Sequence, residues 1–338
     1  MTRTQARFLR QTAFAGWEER LQVRFVIGLT MLLLVALAVA GEAIGRQSGG
    51  SRHLPRNGLI AYESDVAGPL EIYVMNPDGS KKRRLTHSHQ NGEPRWSPDG
   101  RRIAYVHGGC STTGCGPTRS ALWIMNADGS SQRRLTSGRY IDNDPRWSPD
   151  GNYIAFTRGT SCTANGCKLD IWLIRPDGTG EHRLTRDGRS SAPTWSPDGK
   201  KIALSRYNAD SSRWDLYVMN ADGTGARDLT ANVHNPDLDV EGPAWSPDGR
   251  TIIFTPFGTV GDVLAFISPD GTHGRSINPG VPVSEPAWSP DGKWIVYQTQ
   301  QTLWIVKFNA GTFGAKPRRV AFDGNNHNPD WQPLPRSG

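Results

Sequence analysis

Residues 93–106 read Glu93-Pro94-Arg95-Trp96-Ser97-Pro98-Asp99-Gly100-Arg101-Arg102-Ile103-Ala104-Tyr105-Val106. Serine, proline, aspartate and glycine in that order suit a type I turn: proline presets φ at the second position and glycine accepts positive φ at the exit. A strand carrying tryptophan precedes the turn, and an apolar strand follows it. The string W-S-P-D-G returns at Trp147, Trp195, Trp245 and Trp288, and a degenerate Trp331-Gln332-Pro333 ends the series. Each tryptophan stands two residues after a proline, and copies fall 43 to 51 residues apart. A period of this size marks a propeller or a solenoid.

Working outward from the same copy, Leu122–Met125 predicts a third strand. Asn126-Ala127-Asp128-Gly129 predicts a second turn, and Arg133–Thr136 a fourth strand. Apolar residues alternate along these segments, as a half-buried sheet requires, and four antiparallel strands per repeat make a propeller blade. Proline has no N–H for a ladder, so the strand holding Pro94 belongs on an edge, here the inner edge beside the axis. The repeat tryptophans Trp96, Trp147, Trp195, Trp245, Trp288 and Trp331 then fill the wedges between neighbouring blades. The 38 glycines and 24 prolines fit a chain with several tight turns per repeat.

The repeat with its Ile-Ala-Tyr or Ile-Ala-Phe strand, Asp-Ile-Trp or Leu-Tyr-Val-Met-Asn, Asp-Gly and Arg-Leu-Thr resembles the TolB-type (WD40-like) propeller repeat. The resemblance covers about 280 residues and implies a six-bladed all-β propeller that binds proteins outside the cytoplasm. It does not extend to the α/β domain that precedes the propeller in TolB itself. This sequence has an apolar segment there, so the partners of the Tol–Pal system do not carry over.

The two ends of the repeat region predict ring closure. Gly58–Tyr62 is a second strand without its own proline-tryptophan strand, and Asn328-Pro329-Asp330-Trp331 is such a strand with no blade after it. The expected organisation is a basic cytoplasmic segment 1–24, an anchor 25–45, a flexible linker 46–56 and a six-bladed propeller 57–334, each blade four-stranded and antiparallel.

The anchor rests on residues 25–41, Phe25 to Gly41, which are uncharged and almost wholly apolar and just long enough to span a bilayer as a transmembrane helix. Five arginines against two glutamates precede it, which predicts a cytoplasmic N-terminus, a single pass through the inner membrane and a propeller outside the cytoplasm. Cleavage after Ala38-Val39-Ala40 as a signal peptide is the alternative, and either reading exports the repeats. Of the net charge of +7, the repeats and linker keep only a scattered surplus of +4, with no aromatic and basic stripe, so nucleic acid is not an expected partner.

Cys110 and Cys115, and Cys162 and Cys167, occupy equivalent places in consecutive repeats. In an oxidising compartment two short disulfide loops follow; bridges between the loops, a four-thiolate zinc site and free thiols are the other readings.

Strand alternation puts both short turns of every repeat on one face. The long and dissimilar second-to-third and fourth-to-first connections fall on the other. Variable loops on a rigid scaffold suit recognition, so a protein partner is expected there. At the channel mouth the residues before the repeat prolines, Glu93, Asp144, Ala192, Gly242, Glu285 and Asn328, are expected to point inward, with Glu241 and His327 close by. Such oxygen ligands would suit a divalent cation, calcium above all; alternatively the acids cap strand ends or pair with Arg95 and Arg146. No His-Glu-x-x-His or Gly-x-Ser-x-Gly string is present. Two functions remain: a membrane-anchored interaction or sensory scaffold, or a small-ligand or glycan-processing propeller with a metal at its mouth.

Overall fold

The computed structural model describes residues 56–108, 119–163, 166–233, 239–257, 263–309, 312–313 and 316–334. Every regular element among them is a strand. The first repeat holds β1 (Arg56–Ser64), β2 (Glu71–Met75) and β3 (Arg83–Arg84). The second holds β4 (Asn91–Trp96), β5 (Arg102–Gly108), β6 (Ser120–Asn126) and β7 (Arg133–Arg134). The third has β8 (Ile141–Trp147), β9 (Ile154–Thr163), β10 (Gly166–Ile174) and β11 (His182–Arg183). The fourth has β12 (Ser190–Trp195), β13 (Lys201–Asn208), β14 (Arg213–Asn220) and β15 (Arg227–Asp228). The fifth contributes β16 (Asp239–Trp245), β17 (Ile252–Phe257), β18 (Leu264–Ile267) and β19 (Arg275–Ile277). The sixth adds β20 (Ser284–Trp288), β21 (Trp294–Thr299), β22 (Thr302–Asn309), β23 (Thr312–Phe313) and β24 (Arg318–Ala321), and β25 (Asn326–Leu334) follows.

Hydrogen bonding gathers these strands into five sheets, which corrects the expectation of six separate four-stranded blades. Three sheets have four strands, β25-β1-β2-β3, β12 to β15 and β16 to β19, while β20 to β24 form a five-stranded sheet and β4 to β11 an eight-stranded one. The large sheet arises where the third strand of one repeat begins level with the first strand of the next. Ser120 pairs in parallel with Ile141, its N–H donates to the Tyr140 carbonyl at 3.1 Å, and its hydroxyl donates to the Asp142 carbonyl at 2.9 Å. The extra strand is β23, which turns back on the end of β22 while β24 pairs with its beginning. The expected transmembrane segment, residues 25–45, lies outside the described residues, among which no helix is long and apolar enough to cross a membrane.

The turn reading is realised atom by atom. In the first W-S-P-D-G copy the Gly100 N–H donates to the Ser97 carbonyl at 2.8 Å, with Gly100 at φ 67°. The Ser97 hydroxyl donates to Asp99 Oδ1 at 2.5 Å and accepts the Arg102 N–H at 2.9 Å, and Asp99 Oδ1 accepts the Arg101 N–H at 3.0 Å. Ser148 with Asp150, Ser196 with Asp198, Ser246 with Asp248 and Ser289 with Asp291 repeat the hydroxyl-to-carboxylate bond at 2.5 to 2.6 Å. The motif is therefore a local hydrogen-bonding unit in which serine, aspartate and glycine hold their own turn.

Arg-Leu-Thr is bound just as locally. The Thr185 hydroxyl accepts the Ile171 N–H at 2.9 Å and donates to Asp170 Oδ1 at 3.1 Å. Thr230 does the same for Leu216 and Asp215, and Thr86 for Ile72 and Glu71. An acid on the third strand and the threonine two residues after the fourth thus lock three repeats along their outer strands.

The core is divided into six clusters, each shared by consecutive repeats. Trp96 packs with Ala61, Ile72, Val74 and Leu85 of the repeat before it, and Trp147 with Ala104, Leu122 and Ile124. The last cluster joins Val296, Leu303 and Val320 to Ile60, Tyr62 and Trp331. Strand β25 completes the first sheet, with Trp331 opposite Ile60 and Asp330 opposite Ala61. Each wedge buries several large side chains at roughly 1.5–3 kcal/mol apiece, so the sheets hold one another in place.

Candidate functional site

The proline-tryptophan strands converge around the axis, and each carries the same irregularity. Between Gly92 and Arg95 the register of β4 against β5 shifts, so Glu93 and Pro94 together oppose one residue. Equivalent shifts occur in β8, β12, β16, β20 and β25. The residue before each proline takes the left-handed conformation: Glu93 at φ 52°, Asp144 at 54°, Ala192 at 51°, Gly242 at 54°, Glu285 at 53° and Asn328 at 50°. Non-glycine residues adopt it at a cost of order 1–3 kcal/mol unless their surroundings impose it. Here the neighbouring repeat imposes it.

The Glu93 N–H donates to Glu63 Oε2 at 2.7 Å, and the Asp144 N–H donates to Glu93 Oε2 at 2.5 Å. The Ala192 N–H donates to the Thr157 hydroxyl at 2.9 Å, which itself donates to Asp144 Oδ2 at 3.2 Å. On the other side Asn328 Nδ2 donates to Glu63 Oε1 at 3.0 Å, and Arg95 Nη1 donates to the Asn328 carbonyl at 3.0 Å. Glu93, Asp144 and Asn328 are thus brought together, as links between successive inner strands. Glu241 stands on β16, where its carbonyl accepts the Thr255 hydroxyl at 3.2 Å, and His327 lies on β25 opposite Glu63. Among the described residues no group of three or more His, Cys, Asp or Glu could hold a metal ion.

The axial cavity has a volume of about 170 Å³. Its wall includes the residue between proline and tryptophan from every repeat: Arg95, Arg146, Thr194, Ala244, Ala287 and Asp330. Of the residues before the prolines, Gly242 and Glu285 also reach it. An adjoining cavity of about 210 Å³ shares Arg95, Arg146 and Asp330 and extends to the turn prolines Pro98 and Pro149. One extra residue in a strand inverts the in-and-out alternation beyond it, which brings the residue after each proline to the cavity wall beside Gly242 and Glu285. A signal was present: glycine and asparagine, the residues most tolerant of positive φ, stand at two of the six bulge positions, 242 and 328.

Two arginines and an aspartate set the charge of this space. Burial pushes the Asp330 carboxyl up to about 6, against the pull of the Arg95 guanidinium and of the Trp96 and Trp331 N–H groups. Asp330 Oδ2 accepts the Trp96 N–H at 2.7 Å, another bond from the last strand to the second repeat. The Trp147 indole donates to the Arg95 carbonyl at 3.2 Å and the Trp195 indole to the Arg146 carbonyl at 3.3 Å, so the tryptophans that fill the wedges also brace the cavity wall.

On the outer rim, Cys162 and Cys167 form a disulfide at the tip of the β9–β10 hairpin. Cys110 and Cys115 lie outside the described residues. Among the described residues the exposed large hydrophobic ones are Val66, Tyr140, Val233, Val281 and Phe322. Val66 is in the β1–β2 connection and the other four are in fourth-to-first connections, so strand alternation puts all five on the loop-rich face.

The model of the TolB beta propeller domain matches residues 110–278, half of the chain. This chain belongs to the TolB β-propeller family. A curated relative, the Tol-Pal system protein TolB of Alcanivorax borkumensis, is 29% identical over 99 residues, which are 29% of this chain and 21% of the relative's length. The solved TolB of Acinetobacter baumannii superposes with a TM-score of 0.66 at 22% identity, covering 83% of this chain and 68% of that one. A chain of the nidogen/laminin complex superposes at 0.64 with 10% identity, covering 82% and 99%. At these identities the TolB and nidogen/laminin structures share the fold alone.

Proposed function

We propose that this TolB-family propeller is a membrane-anchored, extracytoplasmic scaffold for protein interaction or sensing, with its partner seated on the loop-rich face. The observation that carries the reading is the sorting of apolar residues between the two faces. Phe322 is 62% exposed, Val66 44%, Tyr140 42%, Val281 41% and Val233 40%, all in loop-side connections. The turn-side motifs, by contrast, satisfy their own hydrogen bonds. Exposed aromatic and aliphatic side chains gathered on one face of a rigid body are the usual anchors of a protein interface. The Cys162–Cys167 disulfide is compatible with an oxidising compartment, and the apolar residues 25–41 supply a means of membrane attachment. The curated relative's membership of the Tol-Pal system supports protein binding as the class of activity and leaves this chain's partner to experiment.

Site-specific photocrosslinking in the native host tests the reading. A crosslinking residue at Phe322 or Tyr140 is expected to give a discrete protein adduct, and one at Asp128 on the turn side is not. Adducts of equal yield from both faces would refute a loop-side interface. Protease added to intact spheroplasts is expected to degrade the propeller; full protection would refute the topology.

A further inference from the structure

Three arginines are buried among the described residues, and two of them have a carboxylate partner. Arg158 forks onto Asp142, and Arg213 donates to Asp215. Arg95 is the third, only 4% exposed. Its guanidinium meets neutral oxygens only: the Pro94 carbonyl at 2.7 Å, the Asn328 carbonyl at 3.0 Å and Asn328 Oδ1 at 3.4 Å. Its Nε is buried with no hydrogen-bond partner. Arg146, in the next repeat, lines the same two cavities and donates only to the Pro145 carbonyl at 3.1 Å. Neither arginine has a carboxylate within ion-pair distance among the described residues.

A buried guanidinium without a counter-charge is a costly arrangement, and two side by side repel each other. The acids that reach this space do not neutralise them directly. Asp330 accepts the Trp96 N–H through Oδ2, and burial pushes its carboxyl up despite the pull of the Arg95 guanidinium, so it supplies little counter-charge to the space. Glu285 lines only the first cavity, on the wall formed with Gly242 and Pro286. The adjoining cavity, about 210 Å³, has no acid other than Asp330 on its wall. That space admits a small polyatomic ion and excludes a folded segment of chain.

We propose that the axial cavity is a binding site for a free tetrahedral oxyanion, phosphate or sulfate, held by the guanidinium of Arg146 and by the fixed charge of Arg95 behind it. Arg146 is the more accessible of the two, because Arg95 is buried and held by Asn328 from the last strand. The ion supplies the counter-charge that the protein withholds, and it joins the second and third repeats to the closing strand. The seam between the two ends of the propeller becomes dependent on the ligand.

Titration calorimetry on the purified full chain in detergent, with sodium sulfate or phosphate against chloride at matched ionic strength, tests this. One saturable site is expected, with a melting temperature that rises with the anion and not with chloride. Arg146→Gln is expected to weaken binding at least about tenfold, because it removes the charge-assisted bonds. Arg146→Lys keeps a charge at the lumen and is expected to bind more tightly than Arg146→Gln, which separates a charge role from a folding defect. No saturable heat up to about 20 mM anion, or unchanged affinity in Arg146→Gln, would overturn the proposal.

Discussion

The Asp144 N–H donates to Glu93 Oε2 at 2.5 Å, and this one bond joins the left-handed residue of the third repeat to that of the second. Both residues stand before a proline, and both sit in a bulge where the ladder gives their amides no partner. The neighbouring carboxylate replaces the missing ladder bond. An acid that reads as a channel-mouth ligand is thereby a strut between successive inner strands.

Replacing Glu93 tests that role. Glu93→Gln keeps an acceptor oxygen and is expected to cost under about 1 kcal/mol, whereas Glu93→Ala leaves the amide without its acceptor and is expected to cost about 1–3 kcal/mol. Denaturant melts at constant slope would show the difference. Equal losses for both variants would mean that the bond is incidental.

Arg158 carries a larger load. It donates to Asp142 at 2.6 and 2.9 Å and to Glu181 at 2.6 and 3.1 Å, and it stacks with Tyr140, Phe156 and Trp172. Arg158→Met strands Asp142 in the interior and is expected to cost about 3–5 kcal/mol, while adding Asp142→Leu recovers part of the loss. A double variant no more stable than Arg158→Met alone would contradict this account.

Asp330 gives the domain a pH signature with a defined sign. Its folded pKa, about 6, lies above the ordinary carboxylate value of 3.8, so the folded state binds the proton more tightly. Stability therefore falls as pH rises from about 4 to 6, and the full cost remains above that window. Asp330→Asn is expected to gain on the order of 1–3 kcal/mol at pH 7.5 and nothing below pH 4. The turn carboxylates Asp99 and Asp150 act in the other direction. Hydrogen bonds from Ser97 and Ser148 help hold them below the ordinary range, so their contribution is present at neutral pH and is lost only in stronger acid. Melting curves from pH 4 to 8 on parent and variant separate the two effects.

The Cys162–Cys167 bridge closes a hairpin tip remote from the axial wall. Cys162→Ser with Cys167→Ser is expected to cost about 2 kcal/mol on the chain-entropy model and to leave anion binding unchanged. A loss of binding would mean that the rim and the axis are coupled.

Strand positions and turns were legible because their causes are local. Ser97, Asp99 and Gly100 bond within five residues, and the strands of the second repeat begin and end within a few residues of where the pattern puts them. Sheet membership was not legible, since the Ser120–Ile141 pairing that fuses two repeats depends on how closely they approach in space. That the residue after each proline also lines the axial wall was not legible, because nothing in Glu93-Pro94-Arg95 announces a bulge.

By itself the order of residues determined the repeat, its four strands, its self-satisfied turns and the tryptophans that fill the wedges, because each depends on short-range backbone and hydroxyl chemistry. Tertiary structure alone decided which side chains meet on the axis. Residues up to 235 positions apart, Arg95 and Asp330, share one cavity there, and the bulge in each inner strand brings the residue after its proline to that wall.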